Sequence, residues 1–203
     1  DESESILNQF FSDIIHNDKI LNFTSFYDEY IRRASRVIML DADLGSRSRA
    51  LSGDTVYLIN DFDSKDKKQL NILPYSMNDR MVEMMIDDLA NSKKIVLSTL
   101  EASYGEFILK VIQERFPTKK IIYHRASGDD ADKQLLKDVN TNWKKADLLI
   151  YSPQVSAGID FSVLHFHKMY GYISSTESPR GFLQMVNRVR HLNDSVITVL
   201  KGR

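Results

Sequence analysis

The chain contains Asp147-Leu-Leu-Ile-Tyr-Ser-Pro-Gln-Val-Ser-Ala-Gly-Ile-Asp-Phe161, and 23 residues later Gln184-Met-Val-Asn-Arg-Val-Arg190. The first stretch predicts a short apolar strand that opens into a loop of small residues. The second stretch places one glutamine and two arginines on a predicted helix. Arginine suits a phosphate site, because its guanidinium stays charged and binds phosphate oxygens in pairs. Together the two stretches predict a strand and a helix whose polar residues bind a nucleotide.

Strands and single helices alternate along the second half of the chain. Apolar runs predict strands over 94–98, 120–124, 147–151, 167–173 and 195–200. Strands joined by single helices imply right-handed crossovers, so we predict an α/β fold with a mostly parallel sheet flanked by helices. Ligands of such sheets bind at the carboxyl ends of the strands, where polar residues occur in this sequence.

The first part of the chain has a different pattern. Apolar residues at helical spacing predict helices over 3–15 and 20–35. Compact apolar runs predict strands over 36–40 and 55–59.

A charged segment separates the two parts. Lys65, Lys67 and Lys68 lie in it and are interpreted as solvated linker residues. The predicted organisation is a first domain over 1–62, a linker over 63–75 and a second domain over 76–203.

The composition limits the classes of function. The 203 residues are 42% hydrophobic, which is enough for a substantial core, and the net charge of −1 gives no overall basic field for nucleic acid. The absence of cysteine excludes disulfides and thiolate zinc sites. No apolar run approaches the roughly 20 residues of a membrane span, so no membrane association is predicted.

The loop after the strand at 147–151 carries the first candidate residues. Gly158 would let the backbone approach a ligand closely, and Asp160 could hold a ribose hydroxyl. Ser152 supplies a hydroxyl group at the start of the same loop. For each residue taken alone, an ordinary loop glycine, a solvated aspartate and a turn serine are the alternatives.

The helix predicted over 179–191 carries the next candidates. Gln184 and Arg188 are four residues apart and share a face of that helix. Arg190 lies about 240° around an ideal helix from Gln184, so Arg188 is the stronger candidate for a phosphate contact. A surface arginine in a salt bridge is the alternative for both.

Ser98 and Thr99 follow an apolar run and precede a predicted helix. Hydroxyl and free N–H groups at the start of a helix can bind phosphate. An ordinary strand-to-helix loop is the alternative for either residue alone.

Asp41-Ala-Asp43 follows a second apolar run. Paired carboxylates of this kind bind Mg²⁺ or Mn²⁺ in sugar-nucleotide transferases and in phosphohydrolases. The phosphohydrolase pattern requires threonine or valine where Gly45 stands. A metal-dependent sugar-nucleotide transferase that uses Asp41 and Asp43 remains an alternative function.

In order and spacing these motifs resemble those of superfamily two helicases, and more narrowly those of viral replication-origin-binding proteins of the herpesvirus type. The segments 151–161 and 184–190 resemble helicase motifs V and VI, although the family's second arginine is expected where His191 stands. The stretches that carry the resemblance are Asp1-Glu-Ser-Glu4, Val37-Ile-Met-Leu-Asp-Ala-Asp-Leu44, Ile95-Val-Leu-Ser-Thr99, Asp138-Val-Asn-Thr-Asn-Trp143, Ser156-Ala-Gly-Ile-Asp-Phe161 and Gln184-Met-Val-Asn-Arg-Val-Arg190.

The resemblance implies an ATP-dependent DNA helicase with two RecA-like lobes. Asp1 would hold Mg²⁺, and Glu2 would orient the attacking water. The other implied assignments are Gln184, Arg188 and Arg190 to the γ-phosphate, Gly158 and Asp160 to the nucleotide, Ser98, Thr99 and Ser152 to DNA, and Asp41 and Asp43 to coupling between the ATP and DNA sites.

The sequence contains no Gly-rich phosphate loop with lysine followed by serine or threonine. On the helicase interpretation that loop belongs to an upstream part of the same polypeptide, and the chain alone is expected to be inactive. The implied compartment is intracellular, either the nucleus or a cytoplasmic site of viral replication. A non-catalytic RecA-like lobe that binds nucleic acid or protein is the remaining alternative.

Overall fold

The structure is a computed structural model of the chain and describes residues 3–11, 18–41, 45–51, 55–59, 67–125, 130–153, 159–175 and 178–202. The chain divides into two compact units, residues 1–62 and residues 63–203. The second unit carries the larger core and most of the candidate residues.

The second unit is built on a six-stranded sheet in the order β1-β6-β5-β2-β4-β3, and every pairing between these strands is parallel. The predicted α/β architecture with a mostly parallel sheet is therefore confirmed. The strands are β1 (Gln69–Leu73), β2 (Ile95–Thr99), β3 (Ile121–His124), β4 (Leu148–Tyr151), β5 (Lys168–Ile173) and β6 (Val196–Lys201).

Helices cover both faces of this sheet. The helices are α4 (Asn78–Ala90), α5 (Ala102–Arg115), α6 (Asp130–Lys137), α7 (Val139–Asn142) and α8 (Pro179–Val186), with short 3₁₀ turns at Tyr75–Met77 and Trp143–Lys145. Alternate residues of each strand point to opposite faces, so Ile95 packs in the core formed with α4 and α5, whereas Val96 packs in the core formed with α7 and α8. The central strands β2 and β4 are buried on both sides, so their sequences are mainly apolar.

The first unit contains α1 (Ser3–Gln9), α2 (Lys19–Phe26), a π-helical turn (Tyr27–Ile31) and α3 (Ser46–Leu51). The strands predicted over 36–40 and 55–59 do not form. Their side chains are largely exposed, with Ile38 71% and Leu58 88% accessible, and the extended backbone has no ladder partner among the described residues. An apolar run forms a strand only where a neighbouring strand accepts its hydrogen bonds.

The predicted linker over 63–75 is wrong for its second half, because residues 69–73 form β1. The strand lies at the edge of the sheet and pairs in register with β6, from Gln69 opposite Val196 to Leu73 opposite Leu200. Most of its side chains are exposed, so the sequence shows no buried run that would reveal it. Backbone pairing with a distant strand fixes β1.

A buried ionic network joins α4 to β5. Asp88 accepts hydrogen bonds from the Tyr170 hydroxyl at 2.6 Å and from Lys93 Nζ at 2.8 Å, and Lys168 Nζ lies 3.6 Å from the same carboxylate. Burial by itself would raise the pKa of Asp88, but the hydrogen bonds from Lys93 and Tyr170 and the charge of Lys168 outweigh it. The pKa of Asp88 therefore lies below its usual value. The folded state favours the ionised carboxylate.

We expect Asp88→Asn to lower the free energy of unfolding by about 1–3 kcal/mol at neutral pH, since a charged acceptor of hydrogen bonds becomes an amide. Because the folded pKa of Asp88 is depressed, its contribution is present above about pH 4 and is lost as the pH falls below that value. Urea unfolding at neutral and acid pH measures both effects. Asp87→Asn, on the exposed neighbour in α4, is the matched control. Equal stability of wild type and Asp88→Asn at neutral pH would contradict this account.

Candidate functional site

Backbone hydrogen bonds join the two stretches that resemble motifs V and VI directly to each other. The N–H of Phe161 donates to the carbonyl of Arg188 at 2.8 Å, and the N–H of Arg190 donates to the carbonyl of Phe161 at 3.0 Å. These bonds form an isolated parallel bridge between Phe161 and Val189. Both candidate arginines are thereby held against the segment 159–161.

Helix α8 is capped at its start and fixed against the sheet at two points. Its N-cap Ser178 accepts a hydrogen bond from the N–H of Gly181, with Pro179 in the first turn as the sequence predicts. The Tyr151 hydroxyl, at the end of β4, donates to the carbonyl of Met185 at 2.9 Å. A Cβ atom on Gly171 of β5 would lie 2.6 Å from Cζ of Phe182, so only glycine allows this close packing of α8 on β5.

The helix ends at Val186, not at residue 191 as predicted. The N–H of Asn187 closes the last turn, and the chain then leaves the helical path. Gln184 lies in that last turn and is half-buried. Since Arg188 lies outside the helix, the argument that it shares a helical face with Gln184 fails, and the preference for Arg188 over Arg190 loses its basis.

The side chains of both arginines contact the segment 159–161. Arg190 Nε donates to Asp160 Oδ1 at 2.6 Å, and these side chains are 60% and 48% exposed. The hydrogen bond to Asp160 and the charge of Asp160 raise the pKa of Arg190. Arg188 is more buried, and its Nη1 donates to the carbonyl of Ile159 at 3.4 Å. The structure therefore brings Asp160, Arg188 and Arg190 together, while Gly158 lies outside the described residues.

Lys68, interpreted from sequence as a linker residue, belongs to this site. Its Nζ donates to the carbonyl of Val189 at 2.6 Å, to the carbonyl of Val186 at 3.2 Å and to Oδ1 of Asn187 at 3.3 Å. Burial, and to a smaller extent the charge of Arg190, lowers the pKa of Lys68 to about 8. The acceptors lie almost 120 residues away along the chain, so no local sequence pattern could have identified them.

An open cavity of about 580 Å³ lies beside Lys68 and Arg190. Among the described residues its wall contains the cationic side chains of two lysines and one arginine, one histidine, and no carboxylate. The lining residues are Lys67, Lys68, Leu164, Arg190, His191, Leu192, Asn193 and Ser195. A cavity lined in this way favours an anionic ligand.

Of the three hydroxyl residues assigned to DNA, Ser98 and Thr99 are the last two residues of β2 and Ser152 follows β4, and all three side chains are buried. Ser98 and Thr99 have no exposed surface, and Ser152 is 3% exposed. The Thr99 hydroxyl donates to the carbonyl of Glu101 and accepts from its N–H, which orders the start of α5. In this conformation the three hydroxyl groups lie in the protein interior and are not accessible to DNA.

In the first unit, the residues after Asp1-Glu2 contact the segment that contains Asp41. The N–H of Glu4 donates to Asp41 Oδ2 at 2.9 Å, and the carboxylate of Glu4 accepts from the N–H of Ser48 at 2.8 Å. Glu4 is 5% exposed. Asp1, Glu2 and Asp43 lie outside the described residues, so their predicted roles stay predictions.

Within the described ranges, no group of three or more histidine, aspartate or glutamate side chains is placed to hold a metal ion. The predicted Mg²⁺ ligand, Asp1, is not part of those ranges. In the same part of the chain, no helix has the length and hydropathy needed to cross a bilayer.

The chain is similar to viral replication proteins over almost its whole length. A mimivirus protein (Acanthamoeba polyphaga mimivirus), described as a candidate replication origin-binding protein, is 30% identical over 208 residues, which cover 97% of this chain and 25% of that protein. A candidate helicase/primase complex protein of African swine fever virus is 30% identical over 212 residues, which cover 100% of this chain and 20% of that protein. The chain thus spans a quarter or less of the length of these relatives.

Solved structures show the same fold at low sequence identity. A variant of S. cerevisiae Dbp5, bound to Gle1 and IP6, has a TM-score of 0.57 at 13% identity, covering 92% of this chain and 50% of that chain. Domain 2 of the DEAD-box helicase Mss116p, bound to an RNA duplex, has a TM-score of 0.50 at 14% identity, covering 66% of this chain and 54% of that chain. The parallel sheet is therefore that of a RecA-like helicase domain.

A family model described as origin of replication binding protein matches residues 48–200. This match covers the sheet of the second unit and the joined segments 159–161 and 184–190. The replication origin-binding protein of human herpesvirus 6A is also similar, at 26% identity over 116 residues, which cover 56% of this chain and 14% of that protein. Because the family match extends over most of the 203 residues, the chain belongs to the origin of replication binding protein family.

Proposed function

We propose that this chain is part of an ATP-dependent DNA helicase of superfamily two that acts in viral DNA replication. In the full-length protein, ATP hydrolysis would drive strand unwinding or translocation. The observation that carries the proposal is the junction between residues 159–161 and 188–190, which places two guanidinium groups and one carboxylate in one small region. Helicase and origin-binding relatives support the same function.

The nucleotide is assigned to this junction. Arg188 and Arg190, with Gln184, would bind the γ-phosphate, because paired N–H donors match phosphate oxygens and stabilise the charge of the transition state. Asp160 would bind the ribose, together with the backbone at Gly158. Half-exposed side chains at this position are accessible to a ligand.

We assign Mg²⁺ binding, orientation of the attacking water, and coupling between the ATP and DNA sites to residues of the first unit. Asp1 would hold Mg²⁺, which when bound neutralises charge on the phosphates, and Glu2 would orient the attacking water. Asp41 and Asp43 would couple the ATP site to the DNA site. The hydrogen bond from the N–H of Glu4 to Asp41 supports this role, since it joins the first motif to the second.

DNA is assigned to the carboxyl ends of β2 and β4. Ser98 and Thr99 end β2, directly before a loop, and Ser152 begins the loop after β4. Because their hydroxyl groups are buried, a direct contact with a DNA phosphate requires these loops to move when DNA binds. The buried hydroxyls would become available only in the DNA-bound state.

Strand displacement from a forked DNA duplex by the full-length protein tests the proposal. We expect release of the strand with ATP and no release with a non-hydrolysable ATP analogue. Glu2→Gln should bind the fork but release no strand, because the water is no longer activated. Release that is independent of nucleotide, or absence of release by a folded protein that binds the fork, would contradict the proposal.

A further inference from the structure

The segment that carries both arginines has little regular structure of its own. Residues 187–190 follow the end of α8 and precede β6; the N–H groups of Asn187 and Arg188 bond back to the last turn of α8, and Phe161 bonds to Arg188 and Arg190. Arg188 and Arg190 therefore extend from a short irregular segment. Their placement to within the tolerance needed for phosphoryl transfer requires a second support, since a displacement of about 1 Å can cost on the order of 10²-fold in rate.

Lys68 supplies contacts on this segment that Phe161 does not. It immediately precedes β1, which pairs with β6 from Gln69 opposite Val196 onwards. Its ammonium group has three N–H donors, and three acceptors at the end of α8 lie within hydrogen-bond distance. The acceptors Val186 and Val189 lie on either side of Arg188 in the sequence, and Val189 directly precedes Arg190.

The charge of Lys68 strengthens this arrangement. Carbonyl groups at the carboxyl end of a helix carry a partial negative charge, and an ammonium group is a better donor to them than a neutral amine. Arg190 is the charged group that opposes it, and Asp160 in turn balances Arg190. With a pKa of about 8, Lys68 remains mostly protonated near neutral pH. Three charge-assisted bonds at one ammonium group therefore fix the backbone of the segment.

We infer that Lys68 is a positioning residue for Arg188 and Arg190, acting through the carbonyl groups of Val186 and Val189 and the side chain of Asn187. This inference rests on the proposed ATPase function for its catalytic consequence, but the structural role stands on the hydrogen bonds alone. In the structure the ammonium group of Lys68 donates to acceptors of the protein itself. Its effect is to hold the guanidinium groups where a phosphate can meet them.

The test uses Lys68→Met, Lys68→Arg and the control Lys110→Met in the full-length protein. Methionine retains the length of the side chain and donates no hydrogen bond, arginine retains a charged donor, and Lys110 is an exposed lysine of α5. Hydrogen–deuterium exchange at the amides of Arg188 and Arg190, both hydrogen-bonded in the structure, reports the order of the segment. Steady-state ATPase measurements report kcat and KM for ATP separately.

We expect Lys68→Met to speed exchange at these two amides roughly 10-fold, while β5 keeps its protection. The same variant should lower kcat at least about 10-fold with little change in KM, because positioning acts on the transition state. Lys68→Arg should recover most of kcat, and Lys110→Met should match the wild type in both measurements.

Unchanged exchange at Arg188 and Arg190 in a folded Lys68→Met protein overturns the inference, whatever the ATPase result. A wild-type protein without ATPase activity overturns the proposed function instead, and the exchange measurement still decides the role of Lys68. Loss of protection throughout the sheet in Lys68→Met would show a general structural role and would also overturn the inference.

Discussion

Replacing Arg188 by alanine in the full-length protein is expected to lower the kcat for ATP hydrolysis by roughly 10³-fold or more. An arginine that contacts the transferred phosphoryl group stabilises charge that develops in the transition state. The KM for ATP should change little, because most of the lost interaction forms only in that state. Steady-state ATPase kinetics with saturating DNA measure both constants.

Two further variants sharpen this result. Arg188→Lys should recover only part of the activity, since an ammonium group keeps the charge but lacks the planar fork. Arg115→Ala, an exposed arginine in the last turn of α5, should hydrolyse ATP like the wild type. If Arg188→Ala keeps at least half of the wild-type kcat, while the protein is folded and binds DNA, the assignment of the γ-phosphate to this segment fails.

Asp160→Ala is expected to raise the KM for ATP on the order of 10-fold or more, the effect of losing a hydrogen bond to a charged acceptor. Wild-type protein should prefer ATP over its 2′- and 3′-deoxy analogues, and the variant should lose the preference for the hydroxyl that Asp160 binds. The stability of the protein should change little, because the Asp160–Arg190 pair is about half-exposed and such pairs contribute roughly 0–1 kcal/mol.

A double-mutant cycle distinguishes a ribose contact from a contact that serves Arg190 alone. If Asp160 binds the ribose, Asp160→Ala and Arg190→Ala should differ in their effects on KM and kcat, and the double variant should be worse than either. Equal effects of both single variants on kcat, with no further loss in the double variant, would show that Asp160 only orients Arg190.

The sheet strands of the second unit were predictable because burial on both sides leaves a simple signature. The strands β2 to β6 are apolar runs in the sequence, and each was predicted to within one or two residues of its observed bounds. The start of α8 was equally clear, since Ser178 and Pro179 have the preferences of an N-cap and a first helical residue. Local sequence is sufficient where burial or capping is itself local.

Features that depend on distant partners were not predictable. Strand β1 is exposed and exists because β6 offers it a ladder. The end of α8 at Val186 follows from the bridge between Val189 and Phe161, which competes with continued helical hydrogen bonding. Lys68 binds carbonyl groups far along the chain. In each case the decisive contact is made by backbone N–H or carbonyl groups. Every sequence has these groups, so they leave no signal in the pattern of residues.

The sequence predicted that some of the candidate residues lie together, but it did not predict their geometry or the contacts of Lys68. The sequence identified Asp160, Arg188 and Arg190, and the structure brings these three together. The sequence ranked Arg188 above Arg190 because Arg188 would share a helical face with Gln184, but α8 ends before both arginines. The sequence also assigned Ser98 and Thr99 to DNA from their place after the apolar run 95–97, although both belong to β2 and are buried. Position in a motif indicates which loop a residue belongs to, whereas exposure depends on the packing of the whole unit.

The central claim is that this chain belongs to a motor in which nucleic acid controls ATP hydrolysis. The most direct measurement is the ATPase rate of the full-length protein with and without single-stranded DNA, for the wild type and for Arg188→Ala. The account predicts a rate that rises severalfold when DNA is added to the wild type, and a rate near background in the variant under both conditions. Hydrolysis that is the same with and without DNA, or that survives Arg188→Ala, would contradict it.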